Sequence, residues 1–460
     1  VKALHCVLLL ILSILFFVSD SVDAGQSGAD GRLLIVAPKQ FQKDLKPFVA
    51  QKRQVIPVEV ATLESVLAKQ SGADDPEKLK HFLYEAWRQR QVRYVLLVGD
   101  ASLMPVRYMV LDRVTPAAFD YAFYPSDLYY ADVAKPDGSF EDWNARKDDF
   151  HGLYYGEVRG EKNKTDPINF DAVDYRPELA VGRWPVGSTE QLKIVAAKSI
   201  SYQRQLAART PGSVKAGLIA VGGWVDSRGL LEQIAAALPK TWTVEKRYYQ
   251  DAASPGSTPP PTAEEVLKLL NSGTDLIFHT GHGTDMGWDQ CLGTHMIPQM
   301  HNADRPPIVF SAGCSTARFA TLPPYEPYID LHGQKHKGSD HGEVFTAPPP
   351  PPACYQKGRF NPPGLGKQLL VAGPQGAVAY IGCNTGAQPC DLILLQGFAQ
   401  SCAQTPSARL GDCWNGALRF YYDQEHLAMI KPNAGWYPPS IFFQGMKFML
   451  YGDPTLPMPR

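Results

Sequence analysis

Two short segments of this 460-residue chain carry side chains that can do nucleophilic chemistry. One reads His279-Thr280-Gly281-His282-Gly283, directly after the apolar run Thr274 to Phe278. The other reads Ser311-Ala312-Gly313-Cys314, directly after the run Ile308 to Phe310. A cysteine attacks as its thiolate; an imidazole beside it lowers the thiol pKa and returns a proton to a leaving amine. Glycines beside both residues let the backbone approach a substrate carbonyl and offer N–H donors to a developing oxyanion. Cys314 is therefore the expected nucleophile and His282 its partner.

Other chemistries fit the same residue types. His279, His282, Cys291 and Cys314 are zinc-ligand types, although their spacings of 3, 9 and 23 residues match no compact zinc module. Cys314 could instead be a buried structural thiol; its place in a Gly-Cys-Ser turn after a strand argues against that. His279 reads as a strand-end histidine satisfied locally. Asp132, Asp137, Glu141 and Asp142, followed by Asn144, Asp148 and Asp149, supply oxygen ligands for a structural calcium ion in a turn-rich stretch. No glycine falls where an EF-hand loop needs one, and a solvated acidic loop is the alternative. His332, His336 and His341 read as a solvated loop.

Both reactive segments need a scaffold that delivers them to one edge. Buried-strand runs alternate with helical patterns, which predicts an α/β fold on mainly parallel sheets. The expected strands are Arg32 to Ala37, Tyr94 to Val98, Glu178 to Val181, Lys215 to Val221, Trp242 to Arg247, Thr274 to Phe278, Pro307 to Phe310 and Ala377 to Ile381. Expected helices include Asp75 to Arg90, Glu190 to Gln205, Arg228 to Leu238, Ala263 to Leu270 and Leu365 to Ala372. In an open α/β sheet the loops at the carboxyl ends of strands form the crevice, so His282 and Cys314 should face each other there. The pattern divides the chain into an N-terminal α/β subdomain, 25–206, and a catalytic subdomain, 207–460. A Pro-rich surface insertion at 320–363 contains five consecutive prolines, Pro348 to Pro352.

Composition narrows the classes. With 45 basic and 46 acidic residues, no positive excess is available for nucleic acid or an anionic bilayer, and 44% apolar residues exclude wholesale disorder. Residues 1–24 read as a signal peptide, with Lys2, an apolar run from Cys6 to Val18 and Ala24 before Gly25; export to a periplasm or the exterior is the expectation. No later stretch is hydrophobic enough for a span, so no stable membrane insertion of the mature chain is expected. Beyond Cys6, seven cysteines remain, of which six could pair in an oxidising compartment; Cys383/Cys390 and Cys402/Cys413 are close-in-sequence candidates, with inert thiols as the alternative.

A set of motifs adds a family resemblance. YVLLVGD at Tyr94 to Asp100, PSDLYY at Pro125 to Tyr130, VGRWP at Val181 to Pro185, TGHGTDMGW at Thr280 to Trp288, FSAGCSTARF at Phe310 to Phe319 and YGDPTL at Tyr451 to Leu456 together resemble the gingipain-type cysteine peptidases, family C25 of the caspase-like clan. The resemblance implies a caspase-like three-layer α/β/α fold with two subdomains and an endopeptidase acting on protein or peptide substrates without a catalytic cofactor. It also implies an oxyanion hole from the N–H groups of Gly283 and Cys314, a substrate-binding role for Asp226 and Trp288 with preference for basic P1 residues, and structural calcium. Gly222-Gly223-Trp224 stands where relatives carry a supporting acidic residue. Relatives with C-terminal export domains continue past the YGDP motif, whereas this sequence stops at Arg460; a catalytically silent binding module is the rival reading.

Overall fold

The computed structural model describes residues 31–110, 122–145, 168–169, 171–209, 213–223, 225–251, 257–360, 364–405, 407–431 and 437–460. The expected signal segment 1–24, Trp224, Asp148 and Asp149 lie outside them. The near-continuous apolar runs of the sequence become strands buried on both faces, as parallel sheets require, and the more polar segments Val58–Thr62 and Thr243–Tyr248 join them as partly exposed edge strands. Ten of them are β1 (Arg32–Ala37), β2 (Val58–Thr62), β3 (Val92–Val98), β4 (Ala180–Trp184), β5 (Lys215–Ala220), β6 (Thr243–Tyr248), β7 (Leu276–Thr280), β8 (Ile308–Ala312), β9 (Ala379–Cys383) and β10 (Phe448–Tyr451). They form one sheet in the order β2-β1-β3-β4-β10-β9-β8-β7-β5-β6.

Strands β1 to β4 are mutually parallel and parallel to β10, while β5 to β9 are mutually parallel; β10 pairs antiparallel with β9. The two halves therefore run in opposite directions, and the last strand of the chain sutures them. Alternate residues feed separate cores. Leu34, Val36, Leu97, Phe278 and Phe310 pack with helices Asp75–Arg90, Leu392–Gln404 and Leu410–Gln424. Leu33, Ile35, Leu96, Ile277 and Val309 pack with Thr189–Ala207, Ala263–Asn271 and Leu365–Val371 on the other face. This is the three-layer α/β/α arrangement. Helix starts follow local chemistry: Asp74, Ser188 and Thr262 each accept a backbone N–H three residues on. Among the described residues no helix is long and apolar enough to cross a membrane.

All seven described cysteines are thiols, five of them buried. The Cys402 and Cys413 thiols hydrogen-bond to each other between facing helices without a bridge. Cys383 instead meets Gln444, and Cys390 meets Tyr421, so that candidate pair is separated by its partners.

The insertion is ordered by its own polar clamp. Pro323 O, Cys354 O and Gln356 N–H bond to the backbone of Phe123, Val106 and Ala101, and a hairpin pairs Tyr328–Ile329 with Lys335–His336. Far from a solvated histidine, His336 is buried and stacks on Tyr328, with Nδ1 on Glu343 at 2.8 Å and Nε2 on Asp330 at 3.0 Å. Burial opposes its charge, but the two carboxylates outweigh burial and raise its pKa above 6.5. Burial likewise opposes charge on Asp330 and Glu343, yet His336 and backbone donors hold them below 3.8 and 4.5. A raised histidine stabilises fully below pH 6.5 and loses that contribution as pH rises through its folded value. Lowered carboxylates stabilise above pH 4.5 and fail as pH falls through their folded values. Limited proteolysis within 320–360 should therefore be slowest between these limits and accelerate on the alkaline side; His336→Phe should remove that alkaline rise, and an unchanged pH profile in the variant would refute the clamp.

Candidate active site

Strands β7 and β8 are neighbours in register, with His279 opposite Ser311 and Thr280 opposite Ala312. Both strands run two residues further than the apolar runs suggest. Their carboxyl ends thus release Gly281-His282-Gly283 and Gly313-Cys314 side by side. The contact is tight: a Cβ on Gly313 would lie 3.2 Å from Gly281 O and 3.3 Å from Gly283 Cα, and one on Gly283 would lie 3.1 Å from Cys314 O. Gly281 is confined further, by φ +115° and by Val221 O, which a Cβ would approach to 1.9 Å. The structure therefore brings Gly283 and Cys314 backbone together.

His282 is exposed, and its Nε2 lies 2.9 Å from Gly223 O. A carbonyl only accepts, so Nε2 carries the proton and donates it, which leaves Nδ1 as the basic nitrogen of the neutral ring. Gly223 has φ +90°, a conformation that glycine adopts without strain and that presents its carbonyl to the imidazole. The partner found where relatives were expected to carry an acidic residue is thus a backbone oxygen. Asp289 N–H bonds to His282 O at 3.0 Å, which makes Gly283/Trp288 a non-hydrogen-bonded pair of the small ribbon and keeps the Gly283 N–H out of its ladder.

Cys314 is half-buried, and Ser315 after it has φ +57°, with its N–H on Thr385 O at 2.7 Å. Ala387 N–H reaches Cys314 Sγ at 3.3 Å. Burial raises the thiol pKa, Asp391 adds to the rise, and the Ala387 N–H and Lys447 oppose it. His279 is buried and stacked at 4.3 Å on Trp288, with Nδ1 2.9 Å from Ser311 Oγ; desolvation drops its pKa to about 3, so it stays neutral.

Two assignments need correction, those of Trp288 and of the calcium ligands, and a third, Asp226, is found with a partner of its own. Trp288 is 2% exposed, stacked on His279 and donating to Tyr380 OH at 3.2 Å; it supports the loop from beneath and presents no substrate surface. Asp226 is exposed but already held by Arg228, through 2.9 Å contacts to both carboxylate oxygens, and Arg228 also reaches Asp251 at 3.0 Å. That pairing holds the Asp226 carboxyl well below the usual range. The proposed calcium ligands do not converge. Asp132 accepts from Trp143 Nε1, Glu141 from Trp143 N, Asp142 from Asn144 N, and Asp137 caps Ser139. The positive charge facing Asp132, Glu141 and Asp142 is the buried Lys80 ammonium, 4.2 Å above the Tyr129 ring. Among the described residues no three His, Cys, Asp or Glu side chains are grouped to hold a metal ion, zinc included.

The family model of peptidase family C25 matches residues 26–459. The chain belongs to peptidase family C25. Gingipain R2 of Porphyromonas gingivalis is 23% identical over 302 residues, 63% of this chain and 33% of that protein. Gingipain R1 of the same species is 22% identical over 302 residues, 63% of this chain and 24% of its own length. This C25 chain thus spans a third or less of the curated relatives it matches. The crystal structure of the Arg-specific cysteine proteinase gingipain R (RGPB) aligns with TM-score 0.58 at 16% identity, covering 94% of this chain and 79% of that one. The complex of Porphyromonas gingivalis RgpB pro- and mature domains aligns with TM-score 0.57 at 16% identity, covering 93% and 80%. The C25 fold is shared by these proteins.

Gly281 offers the sharpest structural test of this C25 site. Gly281→Ala should cost at least ~3 kcal/mol, from the positive φ and the clash with the Val221 carbonyl. Gly229→Ala, in helix Arg228–Ala237 where a Cβ meets nothing within 4 Å, should instead stabilise by up to ~1 kcal/mol. Urea unfolding of both variants checks this; equal stabilities would contradict the contact.

Proposed function

We propose that this C25 member is an exported cysteine endopeptidase working through a Cys314–His282 dyad. The Cys314 thiolate attacks the scissile carbonyl carbon, and the N–H groups of Gly283 and Cys314 stabilise the resulting oxyanion. The protonated imidazole of His282 gives its Nδ1 proton to the leaving amine as the C–N bond breaks, leaving a thioester. His282 then takes a proton from water, whose oxygen attacks the thioester; collapse expels the Cys314 thiolate and the acid product. The observation that carries this reading is the packed contact of Gly281-His282-Gly283 against Gly313-Cys314 at the ends of paired strands. Export rests on residues 1–24, outside the described residues.

Two finer points follow. The name of one structural neighbour describes it as Arg-specific, and the same preference here would assign the basic P1 side chain to Asp226. Substrate would then have to replace Arg228 on that carboxylate. The rival, a catalytically silent binding module, draws support from the burial that raises the Cys314 thiol.

Alkylation separates these readings. Burial pushes Cys291, Cys354 and Cys390 up to about 12, so iodoacetamide or a peptidyl chloromethyl ketone should label Cys314 selectively. Peptide-library cleavage should disappear in Cys314→Ala and fall ~10²- to 10⁴-fold in His282→Ala. Undiminished cleavage by Cys314→Ala would sink the mechanism; a well-folded protein with neither labelling nor cleavage is the silent module. Asp226→Asn should raise KM for Arg and Lys substrates roughly tenfold with little change in kcat. An unaltered P1 profile would place specificity elsewhere.

A further inference from the structure

The loop after β9 passes beside the candidate nucleophile and is tied to a buried lysine from the far end of the chain. Ala387 N–H donates to Cys314 Sγ at 3.3 Å. The carbonyl of that same peptide unit, Gly386 O, accepts from Lys447 Nζ at 3.3 Å. Sulfur, amide and ammonium are therefore linked in series through one peptide group. We propose that Lys447 is a positioning residue for Cys314: through the Gly386–Ala387 peptide it orients and polarises the N–H that holds the sulfur, and so favours the thiolate. This rests on the reading of Cys314 as the nucleophile.

Several features single out Lys447. It is 3% exposed, in the turn Gly445–Lys447 just before β10, and its ammonium lies 4.2 Å from the Phe443 ring. Asn384 N–H donates to Lys447 O at 2.9 Å, so backbone and side chain of Lys447 both grip the loop that touches Cys314. A cation on an amide oxygen draws electron density from the nitrogen and makes its N–H a stronger donor, more so where water is excluded. The acidic groups facing the ammonium among the described residues include Asp391, Cys383, Cys390 and Cys314. Burial drives the Asp391 carboxyl well above the usual range and raises Cys383 and Cys390 too, which favours the neutral form of each of these neighbours. The sulfur itself faces Asp391, Cys383 and Lys447 on this side, while the loop after β7 brings His282.

The test is the pH dependence of Cys314 alkylation by iodoacetamide, followed by mass spectrometry on the full chain. Lys447→Met should move the thiol titration up by ~1 pH unit and slow labelling near neutral pH about tenfold, with the acid limb of kcat/KM moving in the same direction. Lys447→Arg should restore most of the wild-type profile, which a purely structural role for the lysine stem would not require. Lys447→Gln keeps an N–H for Gly386 O without the charge; it should behave like the Met variant in titration, and it carries the test if Lys447→Met does not fold. Wild-type-like alkylation in a folded Met or Gln variant overturns the proposal. Failure of Cys314 to react in the wild-type protein at any pH overturns the nucleophile reading instead, so the two failures are distinguishable.

Discussion

Everything at the candidate site depends on the parallel pairing of β7 with β8. Parallel strands end at the same edge, so pairing His279 with Ser311 and Thr280 with Ala312 releases the histidine and cysteine loops as neighbours. The glycines then convert adjacency into contact, because no side chain stands between Gly281, Gly283 and Gly313. Both strands are buried on both faces, so a slipped register would put mismatched side chains into two cores at once. The reversed direction of β1 to β4 places the other half's carboxyl ends at the opposite edge, which leaves this edge to the second half of the chain.

The motifs that lie away from the reactive segments have a common physical role. Asp100 of YVLLVGD pairs with Lys367 at 3.0 Å, Asp127 of PSDLYY with Arg183 of VGRWP at 2.7 Å, and Asp453 of YGDPTL with Lys52 at 2.6 Å. All six side chains are 10% exposed or less. Desolvation makes such pairs poor sources of net stability, but removing one partner leaves a buried charge and costs ~3–5 kcal/mol. They therefore bind distant segments in one arrangement: Lys367 is in the helix before β9, Asp453 follows the suturing strand, and Arg183 also reaches the carbonyls of Gly99 and Pro105 at 3.4 Å. Lys198 does similar work by donating to Leu369 O, Leu370 O and Gln375 O.

What could be read in the sequence was what depends on local pattern. RLLIVA, the helix from Asp75 to Arg90 and the two glycine-flanked reactive residues all have short-range signals, and the structure places each of these elements within a few residues of the expected bounds. Helix Leu392–Gln404 was not anticipated, because LILLQGFAQSCAQ is apolar around most of its circumference and shows no amphipathic stripe. Strand β10 has only the four residues FMLY, and nothing local reveals that it lies at the centre of the sheet. His279 reads as locally satisfied, and pairing that runs past the apolar stretch buries it beside Ser311; Trp288 looks available because its burial depends on His279 and on Tyr380, which is distant in sequence. Gly223 O and the Ala387 N–H were invisible for a different reason: they are backbone atoms that every residue possesses, and only the fold aims them.

The carbonyl partner of His282 changes where thiolate stabilisation has to come from. A carboxylate on the imidazole would both fix the ring and stabilise its charged form, whereas Gly223 O fixes the ring with a dipole alone, and does so at an exposed position. The imidazolium of a thiolate–imidazolium pair is correspondingly less favoured from that side. Burial of Cys314 works in the same direction by disfavouring the anion. A nucleophile in this setting needs its compensation on the sulfur, from donors that are already oriented and carry positive potential. The N–H of Ala387 is such a donor, and Lys447 is the cation behind it. In the proposed dyad, the oriented dipole that holds the histidine and the oriented donor that holds the sulfur are thus both backbone groups, Gly223 O and Ala387 N–H.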